Sequence, residues 1–319
     1  MRKTIREIVI DIVSEVPDIN KKQLYEALMK LGKPVNMTQV EGLLKEAKFA
    51  NSTSVARFRD LAPDDHVYEL NAEKKGVIKL GVISDTHFCS KDQKQAELEQ
   101  TVDIMLNSGV THFLCPGDLL EGWNVYRGQA QHVTQNTQDD QVNEAIQLLP
   151  QLPKGKKYYW ISGNHDLIWL KQATGSDPLI MMDEIRDDFT YLGKYSAYVW
   201  VAPNVCVQLL HPAGGGGSSI GYPAQKYITN LPDHRRPHIC LLGHWHRPLS
   251  FVHQGVMVEG CASFQGPNDL SIRHGWPNVV GGKIIDIELN KKGEIERYKK
   301  EDILFWEENL KMINRKKLI

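Results

Sequence analysis

Short apolar runs that end in polar clusters recur along the larger part of the chain. The first run covers residues 77–84 and is followed directly by Asp85-Thr86-His87. It is rich in β-branched residues and too short for a helix, which is typical of a buried strand. Four later runs end in the same way, at residues 112–116, 157–162, 205–210 and 238–242. The pattern predicts strands that each deliver polar side chains at the carboxyl end.

Asp, Asn and His dominate the clusters that follow the four later runs. These clusters are Gly117-Asp118, Gly163-Asn164-His165-Asp166, His211 and Gly243-His244-Trp245-His246. Helical patterns such as 92–107 and 138–149 lie between the runs, so the alternation predicts an α/β domain. In such sheets ligands bind at the carboxyl edge of the strands. We therefore expect one site built from these five clusters.

The first seventy residues have a different pattern. An apolar helical stripe begins at Ile5, and two further helices are expected after the capping residues Asn20 and Asn36, because Gln23 and Gln39 complete each cap. Two strand-like runs, 52–58 and 66–70, would form a hairpin. Three helices and a hairpin resemble a winged helix-turn-helix in layout. The polar stretch 71–76 predicts a boundary, giving domains 1–74 and 75–319.

The N-terminal module has two open interpretations. In one, residues 36–59 contact DNA, with helix 36–48 in a groove and Arg57 and Arg59 on the wing. In the other, the same scaffold is a protein-interaction or dimerisation module. Lysines on the third helix are offset by Glu41 and Glu46, so no basic stripe decides between them. Oligomeric state is left open.

Composition narrows the class of protein. Hydrophobic residues make up 41% and charged residues 24% of the 319, as in ordinary globular proteins. The net charge of −1 indicates that any nucleic-acid affinity comes from local patches. No apolar run is long enough to span a membrane, and the N-terminus lacks the pattern of a signal peptide. Five scattered cysteines without pairing motifs favour a reducing, cytoplasmic location.

The polar clusters also indicate metal chemistry. Asp85 and His87 are two residues apart, so their side chains project to the same side of an extended or turning backbone and can grip one cation. A carboxylate has two oxygens and can bridge two ions, whereas an imidazole cannot. A bridging ligand is therefore expected at Asp118 or Asp85.

In order, the five clusters resemble the signature of calcineurin-like metallophosphoesterases. This resemblance covers residues from about 77 to about 290. The loop after Asp118 and the glycine-rich stretch after His211 resemble those of phage and bacterial members, and the five motifs resemble those of SbcD-type repair nucleases. It implies an α/β fold: a four-layer αββα sandwich, two mixed sheets packed face to face with helices outside. The small winged-helix-like domain would precede it.

The resemblance also implies a role for each residue. Asp85, His87 and His246 would hold one divalent ion. Asn164, His211 and His244 would hold a second, and Asp118 would bridge the two. His165 would act as the acid near the leaving group, with Asp166 orienting it.

Two divalent metal ions are the expected cofactors. Mixed nitrogen and oxygen ligands suit manganese, iron or zinc, with manganese favoured, and disfavour calcium. Two such ions, roughly 3.5–4 Å apart, clamp a phosphoryl group and generate a bridging hydroxide.

The loop after Asp118 carries candidate substrate contacts. Arg127 fits a phosphate bidentately, and Trp123 and Tyr126 fit a stacked base. The alternative is a packed loop with Arg127 on a surface carboxylate. Serine/threonine phosphatases continue their Gly-Asp motif with Asp-Arg-Gly, whereas this chain has Leu-Leu-Glu-Gly at 119–122, which argues against protein phosphatase activity.

A second candidate lies beyond His211. The glycine-rich stretch 212–217 either lets backbone N–H groups approach a phosphate or is simply a loop. Lys226, on a predicted helix, is a further candidate contact. Phe305, Trp306 and Leu310 at helical spacing predict a closing helix from Glu301.

These features together predict a dinuclear metal-dependent phosphodiesterase or nuclease that acts on nucleic acid or nucleotides. A phosphomonoesterase or protein phosphatase is the first alternative. A DNA-binding regulator with a silent catalytic domain is the second, although it would have no need of the full set of seven ligands and His165.

Overall fold

A computed structural model of the chain describes residues 5–16, 19–50, 66–70, 76–214, 219, 221–276 and 278–305. Contacts divide these residues into a smaller N-terminal unit and a larger unit that begins before His66. The larger unit holds all the strands of the described part.

Three α-helices belong to the smaller unit: α1 (Ile5–Glu15), α2 (Lys21–Lys30) and α3 (Met37–Ala50). Their facing sides bury an apolar core that includes Val9, Leu24, Leu28 and Val40. Asn20 and Gln23 form the expected reciprocal cap at α2. Asn36 and Gln39 exchange the equivalent pair of hydrogen bonds at the start of α3. The predicted strand 52–58, Arg57 and Arg59 lie outside the described residues, so the winged helix stays a prediction.

One segment assigned above to the N-terminal hairpin belongs to the larger unit instead. Residues His66–Glu69 pair in parallel with Ala197–Trp200. The backbone N–H and C=O groups of residues 66–69 are thereby paired with an interior strand of the large sheet. The unit boundary therefore falls before this strand, earlier than the expected residue 74.

Twelve strands of the described part form two sheets of six. The first has the order β1-β6-β7-β8-β10-β9 and the second β12-β11-β2-β3-β4-β5. Their bounds are β1 His66–Glu69, β2 Gly76–Val82, β3 His112–Cys115, β4 Lys157–Ser162, β5 Phe189–Lys194, β6 Ser196–Ala202, β7 Val205–Leu210, β8 Ile239–Leu242, β9 Leu249–His253, β10 Val256–Gly260, β11 Gly281–Leu289 and β12 Ile295–Leu304. Both sheets mix parallel and antiparallel pairs, as expected.

Helices of the larger unit lie outside the two sheets. They are α4 Gln95–Asn107, α5 Gln138–Leu148, α6 Ile168–Lys171, α7 Pro178–Ile185, α8 Tyr222–Asn230 and α9 Asp269–His274. Alternate residues of each strand face opposite sides. Leu114 and Ile161 pack against the other sheet, whereas Phe113 and Trp160 pack against α4, α5 and α7. On the far side, α8 buries Ala224 and Ile228 against the first sheet. The four-layer αββα sandwich is confirmed.

The predicted closing helix does not begin at Glu301. Residues 301–304 end β12, which pairs with β11 along its whole length. The helical spacing depended on Trp306 and Leu310, which lie outside the described residues, so within 301–304 strand pairing decides the conformation. No helix in the described part of the chain is long and apolar enough to cross a membrane.

Candidate metal centre

Loops that follow five strands bring the predicted ligands to one edge of the sandwich. Strands β2, β3 and β4 of the second sheet lead to Asp85 with His87, to Asp118 and to Asn164. Strands β7 and β8 of the first sheet lead to His211 and to His244 with His246. The cluster therefore draws on both sheets, and either sheet alone supplies only part of it.

The backbone is strained at most of these residues. Five of them have left-handed φ angles: Asp85 52°, His87 48°, Asp118 49°, His244 73° and His246 52°. L-residues seldom adopt this region, and each instance costs of order 1–3 kcal/mol. Five instances within one cluster indicate that the fold holds these side chains in place against a local preference.

Two glycines allow the ligands to approach one another. A Cβ atom on Gly163 would lie 2.1 Å from Asp118 Oδ1. A Cβ atom on Gly117, whose φ is +108°, would lie 2.2 Å from His211 Nδ1. Any other residue at either position would displace a ligand, because these distances are far inside van der Waals contact.

The donor atoms fall into two groups that share Asp118. In the first, His246 Nε2 lies 3.3 Å from Asp85 Oδ1 and 3.1 Å from His87 Nε2. In the second, His211 Nε2 lies 3.0 Å from Asn164 Oδ1 and 3.1 Å from Asp118 Oδ2. The same Asp118 Oδ2 lies 3.9 Å from His87 Nε2, so one oxygen faces both groups. His244 completes the second group, with its ring centroid 5.0 Å from that of His211.

Hydrogen bonds fix which nitrogens face the cluster. His211 Nδ1 lies 2.9 Å from the Pro116 carbonyl oxygen, which can only accept, so the proton is on Nδ1 and Nε2 points to Asp118. His87 Nδ1 lies 2.9 Å from Glu121 Oε2, and its Nε2 faces His246. Nitrogen and oxygen lone pairs that converge in this way repel one another unless a positive charge lies between them. The donor set therefore fits divalent ions of the kind that imidazole and carboxylate bind.

Protonation of the histidines can supply positive charge where those cations would bind. Burial favours neutral His87, but the contact with Glu121 outweighs it and raises the pKa of His87 to about 9. Burial is likewise outweighed at His211, where Asp118 raises the pKa to about 9. Burial and the neighbouring His211 lower the pKa of His244 to about 4. At Asp118 burial opposes ionisation, yet the imidazoles of His211 and His165 hold its pKa well below the usual range.

Metal binding should therefore release protons. At pH 7 His87 and His211 are both protonated in the ion-free protein, since each pKa is about 9, and a metal takes only the neutral imidazole. We expect apparent affinity to rise with pH from 6 to 9 and to level off above that. Calorimetry in buffers of different ionisation enthalpy should report about two protons released at pH 7 and fewer at pH 9.5. A pH-independent affinity would contradict this.

The predicted partnership between His165 and Asp166 is wrong. Asp166 accepts backbone N–H groups instead, from Gly163 at 2.8 Å and Leu120 at 2.9 Å. Its side chain is buried under the turn and holds the loops together. His165 Nδ1 lies 2.6 Å from the carbonyl oxygen of Glu121, so the backbone of Glu121 orients this imidazole. Burial raises the pKa of Asp166, as does the charge of Asp118.

His165 lies beside the donor cluster. Its ring is 4.6 Å from that of His87, and one ring nitrogen lies within 4.8 Å of donors on His87 and Asp118. Burial lowers the pKa of His165 despite the nearby Asp118. The neutral ring carries its proton on Nδ1 toward the Glu121 carbonyl, which leaves Nε2 to accept or, when protonated, to donate.

Glu121 is the functional residue that sequence reasoning missed. It is fully buried, and besides His87 it contacts Gln129 Nε2 and Gln265 Nε2, each at 2.8 Å. Burial opposes its ionisation, but His87 lowers the pKa of Glu121 below the usual value. The sequence signal that could have identified Glu121 is a carboxylate in an otherwise apolar stretch, three residues after Asp118.

The candidate substrate contacts are spread more widely. Tyr126 is half-buried, with its ring centroid 6.3 Å from that of His165. Arg127 and Lys226 are exposed, and in the described residues neither has a hydrogen bond to the donor cluster. In the glycine-rich stretch, the Gly214 carbonyl accepts from Trp245 Nε1 at 3.0 Å, while residues 215–218 lie outside the described part. The structure thus brings only Tyr126 of these three close to the cluster.

Comparison with known proteins locates the same region. The family described as calcineurin-like phosphoesterase matches residues 78–271. A curated relative, the DNA polymerase II small subunit of Archaeoglobus fulgidus, is 30% identical over 140 residues. The aligned segment is 40% of this chain and 27% of that subunit, so the chain spans about a quarter of the relative's length.

Similar solved structures include three from different sources. An archaeal phosphodiesterase is 15% identical and covers 71% of this chain and 100% of its own, with a TM-score of 0.39. A 5′-nucleotidase precursor from Thermus thermophilus is 16% identical and covers 72% and 54%, also with a TM-score of 0.39. Vps29 from Entamoeba histolytica, solved with zinc, is 13% identical and covers 71% and 99%, with a TM-score of 0.34.

Proposed function

Because the chain belongs to the calcineurin-like phosphoesterase family, we propose that it is a phosphodiesterase that uses two divalent metal ions and acts on nucleic acid or nucleotides. Asp85, His87 and His246 would hold one ion, and Asn164, His211 and His244 would hold the other. Asp118 would be shared by both sets. Manganese is the first choice, with iron and zinc as alternatives that the same mixed donors accept.

One observation carries this proposal. Asp118 Oδ2 faces His211 Nε2 at 3.1 Å and His87 Nε2 at 3.9 Å, so it belongs to both donor groups. Its other oxygen, Oδ1, accepts the backbone N–H of His165 at 2.9 Å, which fixes the carboxylate plane. A single carboxylate held between two sets of donors is suited to a pair of ions, and such a pair supplies charge neutralisation at a phosphoryl group and activation of water at neutral pH.

The chain's own residues then position and protonate the reacting groups. The carbonyl of Glu121 holds His165 Nδ1–H, so Nε2 is the atom that meets the substrate. As water attacks phosphorus and releases one proton to solvent, the bond to the leaving oxygen breaks and the protonated Nε2 donates its proton to that oxygen. Burial lowers the pKa of His165, and the negative phosphate of a bound diester would favour its protonated form.

Two observations support a nucleic-acid or nucleotide substrate. The relative from Archaeoglobus fulgidus is named as a subunit of a DNA polymerase. The described part of the small unit contains three helices, two of them with side-chain caps at the N-terminus, a layout compatible with the predicted nucleic-acid contact through residues 36–59. A regulator with a silent site is disfavoured, because five strained ligand residues would then be kept without a use.

A substrate panel tests the proposed activity. Purified protein with manganese should hydrolyse bis-p-nitrophenyl phosphate and at least one of single-stranded DNA, double-stranded DNA, RNA or a cyclic nucleotide. It should act much more slowly on p-nitrophenyl phosphate. Hydrolysis of the monoester with no action on any diester would replace the proposal with a phosphomonoesterase.

Removal of residues 1–64 tests the role proposed for the small unit. The cut leaves β1 in place, because residues 66–69 pair with β6 of the larger unit. We expect turnover of bis-p-nitrophenyl phosphate to stay unchanged. The KM for DNA should rise and its salt dependence should flatten, since fewer phosphates are then neutralised. An unchanged salt dependence would favour a protein-interaction module instead.

A further inference from the structure

Two aromatic rings are stacked on each other at the surface where α9 ends, one on its last residue and one just beyond it. His274 and Trp276 have ring centroids 4.6 Å apart and ring planes 17° from parallel. Trp276 is 44% exposed, whereas Trp160, Trp169 and Trp200 are at most 4% exposed. Among tryptophans in the described ranges, only Trp276 is exposed.

A chain of buried, hydrogen-bonded polar groups connects the start of α9 to the candidate metal centre. Glu121 Oε2, which contacts His87, accepts Gln265 Nε2 at 2.8 Å. Gln265 Oε1 accepts Asn268 Nδ2 at 3.4 Å, and Asn268 caps α9 by accepting Ser271 N–H at 2.9 Å. The helix that presents the rings therefore begins on the network that orients a predicted metal ligand.

The chain beyond Trp276 is hydrogen-bonded to a ligand loop of the candidate metal centre as well. Val279 N–H donates to the carbonyl oxygen of the ligand His246 at 3.2 Å. On the entering side, the N–H of Phe264 donates to the carbonyl oxygen of Asp85 at 3.0 Å. Both ends of the segment 264–279 are thus hydrogen-bonded to the ligand loops. The exposed residues 272–276 lie along the chain between these two anchored ends.

We propose that the stacked pair of His274 and Trp276 is a nucleobase subsite, on which the base attached to the scissile phosphate stacks. A flat exposed ring offers a surface on which a base of any sequence can stack. Arg273, exposed in the last turn of α9, adds a positive charge to the same exposed stretch of chain. The inference rests on the proposed function, since it assigns the substrate's base to a place next to the same centre.

Other occupants fit less well. An apolar partner surface would need a broad patch, but the exposed residues around Trp276 are Arg273, His274 and a glycine, with one isoleucine, Ile272. A mixed set of cationic and aromatic side chains is suited to nucleotides.

Equilibrium binding tests the subsite without turnover. Full-length protein with manganese is titrated with adenosine 5′-monophosphate and with ribose 5-phosphate, which share the phosphate and the sugar but differ in the base. We expect the nucleotide to bind about tenfold more tightly. Trp276→Ala should bring the two affinities together, and Trp276→Phe should retain most of the preference. Ile272→Ala, on the same helix and 54% exposed, is the matched control and should leave the preference unchanged.

The outcomes separate this inference from the proposed function. Equal affinities for the two ligands in the unchanged protein, or a preference that survives in Trp276→Ala, would overturn the subsite even if phosphodiesters are hydrolysed. A base preference lost in Trp276→Ala would sustain the subsite even if bis-p-nitrophenyl phosphate were not hydrolysed. Thermal melts of each variant check folding, which the exposed position should leave unaffected.

Discussion

Asp118→Asn should abolish activity on every phosphodiester, with a loss in turnover of more than about 100-fold. The amide keeps the shape of the side chain and can still accept the His165 N–H through its oxygen, but it loses the charge shared by both donor groups. At the position of Oδ2, an amide nitrogen would point a donor at His211 Nε2, 3.1 Å away. We expect the variant to lose both ions or to lose the coupling between them. Metal analysis and turnover are measured on the same preparation.

Asp103→Asn is the matched control for this change. Asp103 is exposed on α4, so the same loss of charge should leave metal content and turnover unaltered. Asp85→Asn provides the contrast, because the Asp85 carboxylate groups with His87 and His246, while its hydrogen bond toward the second group is from the His244 backbone N–H, so the change should empty mainly one site. Near-normal turnover in Asp118→Asn would show that the bridge lies elsewhere.

His165→Ala should retain both metals and lose activity unequally between substrates. A positioned general acid contributes about 10²–10⁴-fold, and it matters most when the leaving group is a strong base. A sugar alkoxide needs the proton, whereas p-nitrophenolate is stable without it. We expect a far larger loss of turnover on a nucleotide or DNA diester than on bis-p-nitrophenyl phosphate.

His253→Ala is the control for the histidine change. His253 is on β9, where its Nε2 contacts Thr229 Oγ1 at 2.9 Å, and it has no part in the donor cluster. Equal losses on both substrates in His165→Ala, with metals retained, would mean that His165 stabilises charge on the phosphoryl group. Loss of a metal ion would make His165 a ligand, as its closeness to His87 and Asp118 permits.

Much of the larger domain could be predicted because strand ends are marked in the sequence. Buried strands such as β8, all of whose residues are buried, appear as continuous apolar runs, and a charged or polar residue follows soon after the end of each. The resemblance to a known family then gave the residues of the separate clusters their roles in one metal centre. The structure adds what spacing cannot show, namely that Asp118 Oδ2 faces two imidazoles and that glycines keep room for it.

Other features depend on long-range packing that no local pattern encodes. Strand β1 has an ordinary hairpin pattern, yet it pairs with residues 197–200, far along the chain. Glu121 differs from a surface carboxylate only in its burial beneath His87, Gln129 and Gln265. The family resemblance assigns Asp166 to His165, its neighbour in sequence, but the carboxylate turns to the backbone of Leu120 and Gly163. Adjacency along the chain does not determine side-chain direction in a tight turn.

The number of metal ions per chain tests the central claim most directly. Protein saturated with manganese, freed of excess ion and analysed for metal and protein content should contain two ions per chain. That number follows from two donor groups sharing Asp118. One ion or fewer after saturation would contradict the dinuclear centre.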